Sequence, residues 1–173
     1  MTPAWPNGDR WDVVAATSHR RQLSEDAAEK LQSFLGQGEV GAEAHFRLGV
    51  LLAVGLDRPA EALRHFARAD DQSDAFIAYL ARYYAGRVQE MAGAVEQAEV
   101  AYRAALAVQP RTPSASLSLA FLLLSSGRGT EASDVMARSL ESPPEVDPFR
   151  VHGFADHRFI DALFIALRRE LGS

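Results

Sequence analysis

A chain of 173 residues, 47% hydrophobic and 24% charged, has the length and balance of one globular domain with a substantial core. Its net charge of −5 and the absence of a basic cluster argue against nucleic-acid binding, which needs a basic face to displace counterions. The lack of cysteine excludes disulfides, thiolate metal sites and cysteine nucleophiles.

Alanine and leucine dominate, β-branched runs are scarce, and no Asn-Gly or Asp-Gly turn joins alternating strands, so the expectation is an all-α fold. Only Lys30 among the eighteen basic residues is lysine, a bias expected of a GC-rich bacterial genome. The first thirty residues hold no apolar run of signal-peptide length, and no segment is long enough to cross a bilayer. The expectation is a soluble chain, cytoplasmic where Met1 is the native start and extracytoplasmic where a signal segment has been removed.

In chain order, residues 1–8 read as a disordered lead. Trp11, Val14 and Ala15 suggest one short helix, with Ala27, Leu31 and Phe34 on a second. The next helix carries Leu48-Gly49, followed by the turn GLDRP (55–59), in which Pro59 suits the first position of the following helix. That helix places Ala62, Phe66 and Ala69 on one stripe, because offsets of three and four share a helical face. ADDQSD (69–74) reads as a solvated loop; as a calcium loop it lacks the required glycine and distal glutamate.

The small-large-small spacing then returns twice. Ala98, Tyr102 and Ala105 repeat it before Pro110 ends the helix, and Ala132, Met136 and Ser139 repeat it with conservative changes. The period is 36 residues from Ala62 to Ala98 and 34 from Ala98 to Ala132. Each stripe has a preceding partner helix, marked by Leu48-Gly49, Ala85-Gly86 and Leu119-Ala120, and Gly93 and Gly127 punctuate the later two hairpins. Gly49 precedes Ala62 by thirteen residues, one more than the twelve from Gly86 to Ala98 and from Ala120 to Ala132, and the extra residue falls in the turn 55–59. A period of this length marks a solenoid of helical hairpins, in which no hairpin buries its apolar face alone.

After Leu140 the pattern stops. A proline-rich connection spans 142–155, and residues 156–171 read as a final helix, N-capped by Asp156, with an apolar stripe of Phe159, Ile160, Leu163, Phe164, Leu167 and Leu171. Its expected role is to cap the last hydrophobic face.

The registered small-large-small copies, with Leu-Gly or its equivalent before them, resemble the tetratricopeptide repeat. The resemblance implies a right-handed α–α superhelix over residues 9–141, with units at about 9–41, 42–76, 79–112 and 113–146. It also implies protein–protein interaction, a scaffold or adaptor whose concave groove is lined by the first helix of each hairpin. The lining positions transfer to Phe46 and Val50; to Leu80, Tyr83, Arg87 and Glu90; and to Leu117, Phe121 and Leu124. Phe46 and Val50 stand where the chaperone-binding subclass would begin its carboxylate clamp, so that subclass is not expected. A mainly apolar groove with one basic residue suits a partner's amphipathic helix or extended apolar segment. Self-filling by helix 156–171 is the competing reading, and homo-oligomerisation is the alternative function.

Catalysis has little support. His152 and His157 with Asp156 and Asp161 could be drawn as a metal site, but a capping segment with surface histidines accounts for them better. No enzyme, cofactor or metal is expected.

Overall fold

The computed structural model describes residues 21–22, 24–33, 35, 41–70, 74–140 and 147–149. The expectations for residues 1–8, for Trp11, Val14, Ala15 and Phe34, for the remainder of the connection 142–155 and for helix 156–171 lie outside the described residues.

Three antiparallel helical hairpins follow one another: α1 (Gly41–Val50) with α2 (Pro59–Asp70), α3 (Ala75–Met91) with α4 (Val95–Val108), and α5 (Pro113–Ser125) with α6 (Gly129–Leu140). The described residues contain no strand. Each hairpin packs on the next, which gives the repeat solenoid expected from the period. Before α1, residues 24–32 are helical, and Ala28 is buried while Leu31 and Leu35 pack on the core. The inward face there runs through Ala28 rather than Ala27, which is exposed.

Starts and stops are local in origin. Pro59 and Pro113 open α2 and α5 as the first helical residue, where a missing N–H costs nothing. Asp74 caps α3, accepting the Phe76 N–H at 2.8 Å and the Ile77 N–H at 3.3 Å. Gly93 and Gly127 leave α3 and α5 with φ of 73° and 76°, a backbone state that favours glycine.

The first hairpin solves the same turn with one more residue. Leu51–Gly55 closes α1 as a π-helical turn, in which the Leu56 N–H reaches back to the Leu51 carbonyl at 3.1 Å. Asp57 then adopts φ 52°, taking the place of Gly93 and Gly127. The residue inserted between Gly49 and Ala62 is thus absorbed at the end of the helix, and the packing of Phe66 on Gly49 is kept.

The repeat's small residues sit where rings press on backbone. A Cβ built on Gly49 would lie 2.6 Å from the Phe66 ring, and one on Gly86 would lie 2.6 Å from the Tyr102 ring. Phe66 and Tyr102 are buried, flanked on their own helices by Ala62 and Ala69 and by Ala98 and Ala105, all buried. Full burial of such a ring contributes roughly 1.5–3 kcal/mol. Buried tyrosine needs a partner for its hydroxyl, and Tyr102 donates to Glu90 Oε2 at 2.5 Å. Burial, reinforced by the Glu90 carboxylate, pushes the Tyr102 phenol well above its ordinary pKa, so it remains the donor.

Polar bridges tie successive elements. Arg82 on α3 donates to Asp70 at the end of α2 (2.7 Å) and to the Ala104 carbonyl on α4 (3.0 Å). Arg128 joins Glu99 of α4 at 2.6 Å and Glu131 of α6 at 2.6 Å, which couples the second and third hairpins.

Candidate interaction groove

The first helices α1, α3 and α5 lie side by side, and their outward stripes form the candidate groove. The nine positions transferred from the repeat divide by burial. Phe46, Leu80 and Tyr83 are buried, Val50 and Glu90 are half-buried, and Arg87, Leu117, Phe121 and Leu124 are exposed.

The buried ones are covered for specific reasons. Phe46 packs among rings, 6.2 Å from Phe66 and 5.4 Å edge-on to Tyr84. Tyr83 shares a hydrogen bond of 3.2 Å with Ser118 of α5, and its ring lies 4.8 Å from that of Phe149. Glu90 is engaged inside its own hairpin by Tyr102. Partial desolvation works against the Arg87 charge, but hydrogen bonding to Tyr83 and the nearby Glu90 carboxylate outweigh it and keep the guanidinium charged.

The accessible groove is therefore apolar at its rim. Leu117 is 51%, Phe121 64% and Leu124 62% exposed on α5, and Met91 is 82% exposed at the end of α3. Between α3 and α5 a depression of about 430 Å³ is walled by Arg87, Glu90, Met91, Leu117, Ser118 and Phe121. Between α1 and α3 a larger one of about 670 Å³ is walled by Val54, Tyr84, Arg87, Met91 and Phe149 among others. Arg87 and Met91 contribute to both, so the two depressions adjoin across α3.

Sequence reasoning missed Val54, Tyr84, Met91 and Phe149. Val54 lies one turn beyond Val50, and Met91 ends α3 directly after Glu90. Phe149 could have been suspected as the large aromatic residue directly after Pro148 in the proline-rich connection, but nothing local says where it docks.

The fold, the register and the ring-on-glycine packing converge with the family comparison. The tetratricopeptide repeat profile matches residues 20–76 and 85–146, well over half of the chain. The chain belongs to the tetratricopeptide repeat family. It is similar to two solved structures titled "Crystal structure of MamA" and "Crystal structure of MamA protein", with 26% identity in both cases. The TM-scores are 0.60 and 0.59, the alignments cover 69% of this chain in each, and they span 68% and 63% of the other chains. No curated protein matches the chain. A tetratricopeptide array of this kind is a protein-interaction scaffold. Among the described residues no helix is long and apolar enough to cross a membrane, and no group of three or more His, Cys, Asp or Glu side chains is placed to hold a metal ion.

Proposed function

We propose that this tetratricopeptide protein is an adaptor that takes an apolar segment of another protein, helical or extended, into the groove over α3 and α5. The observation that carries this reading is the run of large apolar side chains left open on that face: Met91, Leu117, Phe121 and Leu124. Scattered exposed apolar residues are ordinary, but a contiguous patch beside a charged residue is the usual mark of a binding surface. Arg87 at the junction of the two depressions offers one charged anchor for a partner carboxylate.

Phe121→Ala and Leu124→Ala test it. Both side chains are exposed, so each variant should change folding stability by roughly 0.5 kcal/mol or less. A groove hot spot, by contrast, weakens binding by about 2 kcal/mol or more when truncated. Partner capture from native extract should fall sharply for both variants while the melting temperature stays put. Capture that is unaffected by both would refute the groove as the binding face. Mass that rises with protein concentration, and falls back in both variants, would make the occupant a second copy of the chain.

A further inference from the structure

Asp147, Pro148 and Phe149 follow the last hairpin, yet they are seated on α3 and α5. Asp147 and Pro148 are buried, and Phe149 packs on the core. Asp147 Oδ2 accepts the Ser114 N–H at 2.7 Å, in the first turn of α5, where a helix presents unsatisfied donors to an anion. Its Oδ1 accepts the Tyr79 hydroxyl at 3.4 Å and the Phe149 N–H at 3.0 Å. Thr112, the N-cap residue of α5, makes no side-chain capping bond itself, so the cap comes from thirty-three residues downstream of Ser114. The Phe149 ring stands 4.8 Å from Tyr83 and 5.7 Å from Tyr84, tilted on both.

The receiving side of this contact is made of residues from α3 and α5 alone. Tyr79 and Tyr83 are one turn apart on α3, with rings parallel within 2° at 6.0 Å, and Ser114 belongs to α5. The arriving side is the start of a helical turn: Asp147 caps it through the Phe149 N–H, Pro148 follows with its fixed φ, and Phe149 supplies the ring. Phe149 is also a wall of the open 670 Å³ depression, so the seat continues into free apolar space.

We infer that the seat formed by Tyr79, Tyr83, Tyr84 and the Ser114 N–H is a recognition site for a peptide that begins a helical turn with a carboxylate side chain and, two residues on, an aromatic ring, and that the chain's own Asp147–Phe149 closes it in cis. This deepens the adaptor reading by naming a ligand chemistry and a built-in competitor. A tethered segment faces its site at an effective concentration of about millimolar, so a segment whose intrinsic Kd is about 100 μM or tighter handicaps any free ligand by roughly tenfold or more until it leaves.

The test uses the full chain as wild type and as Asp147→Ala/Phe149→Ala, with a labelled synthetic peptide of residues 143–152 as the probe and fluorescence anisotropy as the readout. The double variant should bind the peptide at least about tenfold more tightly than wild type does. Peptides carrying the Asp147→Ala or the Phe149→Ala change should each lose that gain. Hydrogen exchange at the Ser114 amide should speed up in the double variant and slow again when the peptide is added. Equal binding by wild type and variant, or binding that leaves the Ser114 amide unprotected, overturns the inference. If the double variant does not fold, Phe149→Ala alone, which keeps the Asp147 cap, takes its place; if that also fails to fold, the segment is integral core and the inference is wrong. Phe121 and Leu124 lie outside this seat, so the adaptor reading is decided separately by their variants.

Discussion

Gly86→Ala probes the contact on which the repeat architecture depends. The added Cβ would lie 2.6 Å and 2.7 Å from two ring carbons of Tyr102, whereas ordinary contact begins near 3.4 Å, so the ring must retreat by about 0.8 Å. It has little room to do so, because Tyr102 is fully buried, is tied through its hydroxyl to Glu90 and packs 5.8 Å from the Tyr83 ring. Overpacking of this kind costs about 1–3 kcal/mol. Replacing glycine by alanine inside a helix returns about 0.5–1 kcal/mol. The net expectation is a loss of about 1–2 kcal/mol, which for a chain of this size lowers the melting temperature by about 2–8 °C. Gly86→Leu should cost more, since its extra atoms have nowhere to go. Thermal and urea unfolding of Gly86→Ala, alone and combined with Tyr102→Leu, measure the effect. In the double variant the flexible, smaller side chain should tolerate the methyl group, so the two changes should be coupled rather than additive. The third hairpin already shows this pairing, with Ala120 at the glycine position and Met136 at the ring position. A Gly86→Ala protein that melts at or above the wild-type temperature would refute the ring-on-glycine account.

Two further outcomes follow from burial and charge. Tyr83→Ala removes a buried ring that touches Tyr79, Tyr84, Tyr102 and Phe149, and should destabilise the fold by about 3 kcal/mol or more; an unchanged urea midpoint would place Tyr83 at the surface after all. His45 and His65 face each other across α1 and α2 with their Nδ1 atoms 2.9 Å apart. Burial lowers both pKa values, helped by Arg68 at His45, and by His45, Arg68 and Arg64 at His65, where Glu61 opposes the shift. The folded chain then binds fewer protons than the unfolded one just below pH 6.5, so stability is complete above that pH and declines as pH falls through the window beneath it. His65→Gln should flatten the urea midpoint between about pH 7 and pH 5, above the range where carboxylates titrate; a slope equal to wild type would remove the pair from the account.

The architecture could be read from the sequence because its causes are short-range. A hairpin needs a small residue opposite a ring sixteen or seventeen positions later, a proline or capping residue at helix starts and a left-handed residue at the turn. Gly49 with Phe66, Gly86 with Tyr102, Pro59, Gly93 and Gly127 announce all of this within about one repeat length. Even the inserted residue of the first hairpin was visible as thirteen rather than twelve residues between Gly49 and Ala62, although only the structure shows it spent in the π turn at Leu51–Gly55 with Asp57 in the left-handed state.

The groove was legible only as a set of positions. Periodicity says which residues share a stripe of a helix, but stacking of neighbouring hairpins decides which part of the stripe remains open. The same repeat position that is exposed at Leu117 on α5 is buried at Phe46, under its ring neighbours, on α1 and at Tyr83 on α3. The seating of Asp147–Phe149 is further still from the sequence pattern, for Asp147 meets Tyr79 across sixty-eight residues and the start of α5 across thirty-three. No local propensity encodes such a contact. It exists because α3 and α5, brought side by side by the solenoid, together present two stacked tyrosines and an uncapped helix start to whatever carboxylate and ring can reach them.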